Sequence, residues 1–229
     1  PFIWKIKSTV RDLTLNTVTC VRRYTVEQYE DDQGECALRA LRIHSSSSSL
    51  LELLPASMPH LRQISFVKNS ATTQQQFDAL ISFENAPYIH SIHIDAPNVD
   101  GLSKLVECTK ESPSIRLRHV NCTHTISPNV IHVIQKARFG LQTLILDEGH
   151  LKEDPTQIGV ELVKHCRHLR YFDCSAHMDS KQIAESFETR PLRQMWNIRM
   201  SVPADNAYLI TDFYNCVSHP VRVVDVHTK

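Results

Sequence analysis

Apolar residues recur along this chain in a six-residue pattern, filling the first, fourth and sixth places. Val10, Leu13 and Leu15 form the first copy, followed by Leu38, Leu41, Ile43 and by Leu61, Ile64, Phe66. Ile89, Ile92, Ile94, then Leu117, Val120, Cys122, then Leu141, Leu144, Leu146 continue it. Leu169, Phe172, Cys174, then Met195, Ile198, Met200 and Val221, Val224, Val226 complete it. The middle positions are separated by 28, 23, 28, 28, 24, 28, 26 and 26 residues. Alternation over the last three places predicts a short strand with one buried face. Between copies the apolar step changes to three and four, the spacing of one helix face. Phe77, Leu80 and Ile81 show it, as do Leu102, Leu105 and Val106, and Val130, Val133 and Ile134. So do Ile158, Leu162 and Cys166, Ile183 and Phe187, Leu209 and Phe213, with a looser cluster at Leu50, Leu51, Leu53 and Leu54. Ser127-Pro128 and Asp154-Pro155 predict helix starts, with an oxygen acceptor at the cap and proline in the first turn. Thr73, Asn98 and Ser180 are further predicted caps. Pro59, Pro87, Pro113, Pro191 and Pro220 fall between a helix and the next strand, where proline stops the helix.

A strand, turn, helix and return repeated every 23–28 residues is the pattern of a leucine-rich repeat. A single unit buries neither face alone, whereas stacked units share a continuous core. The expected fold is therefore α/β, a leucine-rich-repeat solenoid or horseshoe. Parallel strands line its concave face and helices its convex face. Residues 1–229 are expected to form a single domain of about eight to nine irregular repeats. The chain begins at Pro1 and is expected to be a piece of a longer one. Phe2, Trp4 and Ile6 suggest a capping edge, and Glu27–Asp32 a solvated acidic run. A strand at Val221–Val226 with no helix after it leaves an apolar edge for a partner or further chain to cover.

The stretch Leu162–Cys174, LVKHCRHLRYFDC, passes from a helix end through a turn into a strand. Its Leu162, Cys166, Leu169, Phe172 and Cys174 resemble the cysteine-containing leucine-rich repeats of F-box proteins and the ribonuclease-inhibitor-like class. Leu105, Val106, Cys108, Leu117 and Cys122 are a weaker echo. The asparagine those repeats often carry is clear only as Asn69, and several leucine positions hold Val, Ile, Met or Cys. The resemblance implies substrate recognition within a ubiquitin-ligase adaptor, with the F-box and any ligase-subunit contacts outside these residues.

Composition narrows the functional classes. The chain is 41% hydrophobic and 22% charged with zero formal net charge, so no global field draws in nucleic acid or membrane. Five glycines among 229 residues argue against glycine-rich phosphate loops. No apolar run is long enough to span a membrane. The seven cysteines lack C-x-x-C spacing and mostly fall at apolar places, which predicts reduced core thiols and a cytoplasmic or nuclear protein. Thirteen histidines include His90 and His93, and His165 and His168 around Cys166, yet none gains a fourth ligand at metal spacing. Cys174, His177 and Asp173 are near in sequence, but a core thiol and an outward carboxylate do not make a nucleophile. No enzyme activity, cofactor or metal is expected.

Two surfaces remain. Outward strand positions carry Arg42, His44, His93, Asp95, His119, Asn121, Asp147, Tyr171, Asp173 and Arg199, a polar face of mixed charge. This face reads either as a contact surface for a protein or peptide, or as a solvated sheet. The second place of the pattern holds Arg11, Arg39, Arg62, Arg118, Arg170 and Arg222, interrupted by His90, Gln142 and Trp196. Such a stripe suits acidic or phosphorylated partners, or a nucleic-acid or nuclear-transport scaffold. Equally, the arginine stems could cover apolar edges while their charges stay wet. The expected function is a protein–protein interaction module, with nucleic acid the less favoured partner. The run Ser45–Ser49 reads as a turn with a serine cap or as a phosphorylation site.

Overall fold

The computed structural model describes residues 10–15, 36–44, 58–68, 73–81, 86–111, 114–147, 151–189, 197–202 and 223–228. The predicted features at Phe2–Ile6, Glu27–Asp32, Ser45–Ser49, Leu50–Leu54, Asn69 and Leu209–Phe213 lie outside them, as do Pro113, Pro191 and Pro220. The chain is an α/β protein built on one open, all-parallel sheet. Its strands are β1 (Asp12–Leu15), β2 (Ala40–His44), β3 (Gln63–Val67), β4 (Ser91–Asp95) and β5 (His119–Thr123). They continue as β6 (Thr143–Leu146), β7 (Tyr171–His177), β8 (Asn197–Val202) and β9 (Val223–Thr228), paired in chain order from β1 to β9. The described helices are α1 (Gln74–Leu80), α2 (Ser103–Cys108), α3 (Val130–Ala137), α4 (Pro155–His165) and α5 (Ser180–Thr189).

The nine middle positions of the apolar pattern form one continuous ladder. Leu13 pairs with Leu41, then come Ile64, Ile92, Val120, Leu144, Phe172, Ile198 and Val224. Register follows the apolar pattern because a slip of one residue would turn every side chain to the other face. One irregularity occurs where β7 shifts between Cys174 and His177, so that His177 rather than Ser175 stands opposite Ser201.

Parallel neighbours need crossovers of one hand, which put the connecting segments on one face of the sheet. Burial agrees with that placement. Leu41 and Ile43, Ile64 and Phe66, Ile92 and Ile94, and their counterparts through Phe172 and Cys174, are buried. The first-place residues Leu38, Leu61, Ile89, Leu117, Leu141 and Leu169 are buried too. Helix residues Phe77, Leu105, Val133, Ile134, Ile158 and Leu162 close the core from the other side. Helices α3, α4 and α5 pack successively on one another. Gly159 permits the last approach, because a Cβ there would stand 2.9 Å from Ile183 Cδ1.

Helix starts differ from expectation except at two places. Asp154 Oδ1 accepts from Thr156 N at 3.0 Å with Pro155 in the first turn, as predicted. Thr73 directly precedes α1, and its carbonyl accepts from Phe77 N. Asn98 does not cap α2; Asp100 Oδ1 accepts from Ser103 N at 3.0 Å and Leu102 N at 3.3 Å. Ser180 gives way to Asp179, whose Oδ1 accepts from Lys181 N and Gln182 N. Ser127 does not cap α3 either. That helix begins after Asn129 in a left-handed conformation, and Glu153 of the next unit accepts from Ile131 N at 3.0 Å. A carboxylate from a neighbouring unit thus satisfies an orphan amide that a local serine was expected to take.

Cysteines 36, 108, 122, 166 and 174 are buried, as the apolar pattern predicts. Burial pushes the Cys122 and Cys166 thiols up to about 12, so neither supplies thiolate at neutral pH. Iodoacetamide treatment of the native chain is expected to leave the Cys122 and Cys166 peptides unmodified. Both should react fully in guanidinium, as peptide mass spectrometry will show. Rapid native labelling of either would move it out of the core.

Candidate interaction surfaces

The sheet face away from the helices carries three rows of side chains. The first row runs Asp12, Ala40, Gln63, Ser91, His119, Thr143 and Tyr171. The second runs Thr14, Arg42, Ser65, His93, Asn121, Ile145 and Asp173, with Arg199 and Asp225 following in the backbone ladder. His44, Val67, Asp95, Thr123 and Asp147 stand at the strand ends. None of the row residues whose side chains are described is fully buried. Of the contact candidates, Arg42, His93, His119, Asn121, Tyr171 and Asp173 therefore stand on the uncovered face, with His44, Asp95 and Asp147 at the strand ends.

Several of these candidates already hold one another. Tyr171 Oη donates to Asp173 Oδ2 at 3.1 Å, and His119 Nδ1 lies 3.1 Å from Thr143 Oγ1. Asp95 Oδ2 accepts from Lys68 N at 3.1 Å, and Asp147 Oδ2 from His124 N at 3.4 Å. Lys68 and His124 both adopt positive φ, 48° and 51°, immediately after their strands. In both cases a carboxylate one strand away holds the turned backbone. The His124 ring also bridges the two aspartates, with Nδ1 3.3 Å from Asp95 Oδ1 and Nε2 3.8 Å from Asp147 Oδ2. Outward parity alone did not reveal His124, since it follows the strand. Asn121 Oδ1, in the middle of the second row, is buried and accepts no hydrogen bond among the described residues. Burial lowers the His93 pKa; Asp95 opposes the shift while Arg42 and His44 reinforce it.

The second-place residues form a backbone row along the edge where strands begin. Arg11 O accepts from Arg39 N at 2.6 Å and from Ala40 N at 3.0 Å. The same paired acceptance recurs from Arg39 O to Arg62 N, Arg62 O to His90 N, and His90 O to Arg118 N. It continues from Arg118 O to Gln142 N and from Gln142 O to Arg170 N. Arg11, Arg39, Arg118 and Arg170 are exposed and Arg62 is half-buried; Trp196 and Arg222 lie outside the described residues. Residues beside the row add Arg116, Arg138 and Arg167, whereas Asp12 and Glu111 are the carboxylates in 10–12, 36–40, 58–63, 86–91, 109–111, 114–119, 138–143 and 166–171. The opposite edge has reversed composition. Stretches 67–68, 95–100, 123–129, 147, 151–154 and 175–179 carry Asp95, Asp100, Asp147, Glu153, Asp154 and Asp179 against two lysines, Lys68 and Lys152.

The arginine edge changes its neighbours. Burial first, then Arg118, His119 and Arg62, hold the His90 imidazole below its ordinary pKa. Burial and Arg118 do the same to His119. Two large apolar side chains are exposed among the described residues, Tyr88 at 40% and Phe139 at 68%, and both lie on this edge. Arg62 and Arg116 stand 4.9 Å and 5.7 Å from the Tyr88 ring centroid, and Arg138 stands 4.6 Å from that of Phe139.

Among the described residues no group of three or more His, Cys, Asp and Glu is disposed to hold a metal ion, and no helix is long and apolar enough to cross a membrane. Comparison with protein families, with characterised proteins and with solved structures finds no match to this chain.

Proposed function

We propose that the chain is a leucine-rich-repeat solenoid that binds a protein or peptide through its uncovered sheet face. One observation carries the reading. All-parallel sheets ordinarily have both faces covered, yet here one face of the sheet holds buried apolar residues and the other presents partly exposed polar rows. A rigid ladder spends little further entropy when such a face meets a partner. The specific form of this reading is substrate recognition in an F-box type ubiquitin-ligase adaptor, and that form rests on the resemblance of the Leu162–Cys174 junction.

The test compares proteins retained from extracts of the native cells by three immobilised chains. These are the wild type, a His93→Ala/Asn121→Ala variant, and a helix-side Gln182→Ala control. Proteins held by the wild type and the control but lost from the open-face variant are expected. An identical set on all three would sink the reading. For the ligase form, ubiquitination of a retained protein should fall in cells carrying the open-face variant; unchanged ubiquitination counts against it.

A further inference from the structure

The structure points to a second, separate surface: we propose that the strand-start edge binds single-stranded nucleic acid. Zero net charge conceals a division of charge across the sheet. Among the described residues, arginines collect where strands begin and carboxylates where they end. No ion pair joins Arg62, Arg116 or Arg118 to a carboxylate among the described residues. Among the described residues Arg62 Nη1 donates to two carbonyls, Pro59 O at 3.4 Å and Leu61 O at 3.3 Å, and meets no carboxylate. The cations are arginines, whose planar forks bind phosphate oxygens two at a time. The backbones of Arg62 and Arg118 are held by the repeated hydrogen bonds of the second-place row, which fixes their spacing along the edge.

Charge alone would serve any polyanion; the aromatic rings decide between them. An acidic chain such as polyglutamate pairs with the cations and carries no flat group to stack on the rings. A single strand needs both, because its phosphates take the cations and its unpaired bases stack on aromatic or guanidinium planes. Tyr88 and Phe139, each beside an arginine, supply those planes on the same edge as the arginine row. A duplex keeps its bases stacked on one another and gains nothing from the rings. The open sheet face takes no part, so this site stands whether or not that face binds protein.

The experiment is fluorescence anisotropy of labelled oligouridylate and oligothymidylate 20-mers with the full 229-residue chain between about 50 and 200 mM salt. Binding of either strand is expected, with the logarithm of the association constant falling linearly against that of salt by about 0.7 per phosphate neutralised. Arg62→Ala/Arg118→Ala should reduce that slope by about 1.4. Tyr88→Ala and Phe139→Ala should each weaken binding at least about fivefold and leave the slope unchanged. Arg42→Ala, on the open face, should change neither. A preference between the two strands reports contact with the 2′-hydroxyl or the base and supports the site equally. The proposal is overturned if neither strand binds at the lowest salt. It is likewise overturned if polyglutamate binds as tightly and the ring variants lose nothing, which would mark the edge as a surface for acidic proteins. Circular dichroism of each variant keeps loss of fold distinct from loss of the site.

Discussion

Replacing Phe66 with alanine is expected to lower the free energy of unfolding by about 3–5 kcal/mol. The ring is 0% exposed and lies in β3 between Ile43 and Ile94 of the adjoining strands. Its centroid stands 5.5 Å from that of Phe77 at an interplanar angle of 54°. Phe77 comes from α1, so this pair ties helix to sheet within one unit while its neighbours tie that unit to the next. Truncation loses the transfer energy of the ring, its contact with Phe77 and the packing that a rigid ladder cannot restore by collapse. Urea unfolding will show the loss as a lower midpoint. A change below about 1 kcal/mol would place the ring outside the core, since large values require a cavity or an equivalent defect.

Leu144→Ala should cost about 2–5 kcal/mol, whereas Arg42→Ala should stay within about 0.5 kcal/mol of the wild type. Leu144 is 1% exposed and occupies the rung between Val120 and Phe172. Arg42 is exposed one residue after a core position, on the uncovered face. The contrast tests the phase of the sheet, because side chains alternate between faces along a strand. A thermal melt in which Arg42→Ala is the more damaging change would mean that the helices lie on the other face.

Much of the framework was legible before any coordinates. The fourth-place residues from Leu13 to Val224 align in one ladder, and the first- and sixth-place residues of the central copies are buried. The parity that buried Ile92 and Ile94 also placed His93 and Asn121 on the open side. Cys122, Cys166 and Cys174 were readable as core residues because they occupy places where other copies hold leucine or isoleucine. Helix starts were less legible. Asp154 caps through its own local loop, but Glu153 reaches Ile131 across a separation of 22 residues. Which candidates were already engaged was not legible either: Asp95 and Asp147 hold turned backbones, and both flank His124.

The sequence by itself determined the apolar period and the faces of the strands, because each depends on residues a few places apart along one segment, and the lateral register followed from matching those faces between copies. Only the tertiary structure decided which loops meet at the strand ends. Those loops lie one repeat or more apart in the chain and become neighbours through strand pairing. The clasp of His124 between two aspartates, the cap from Glu153 and the gathering of guanidiniums around Tyr88 all arise there. A net charge of zero is a sum over the whole chain; the separation of arginines from carboxylates among the described residues is a property of position, and pairing in register created it.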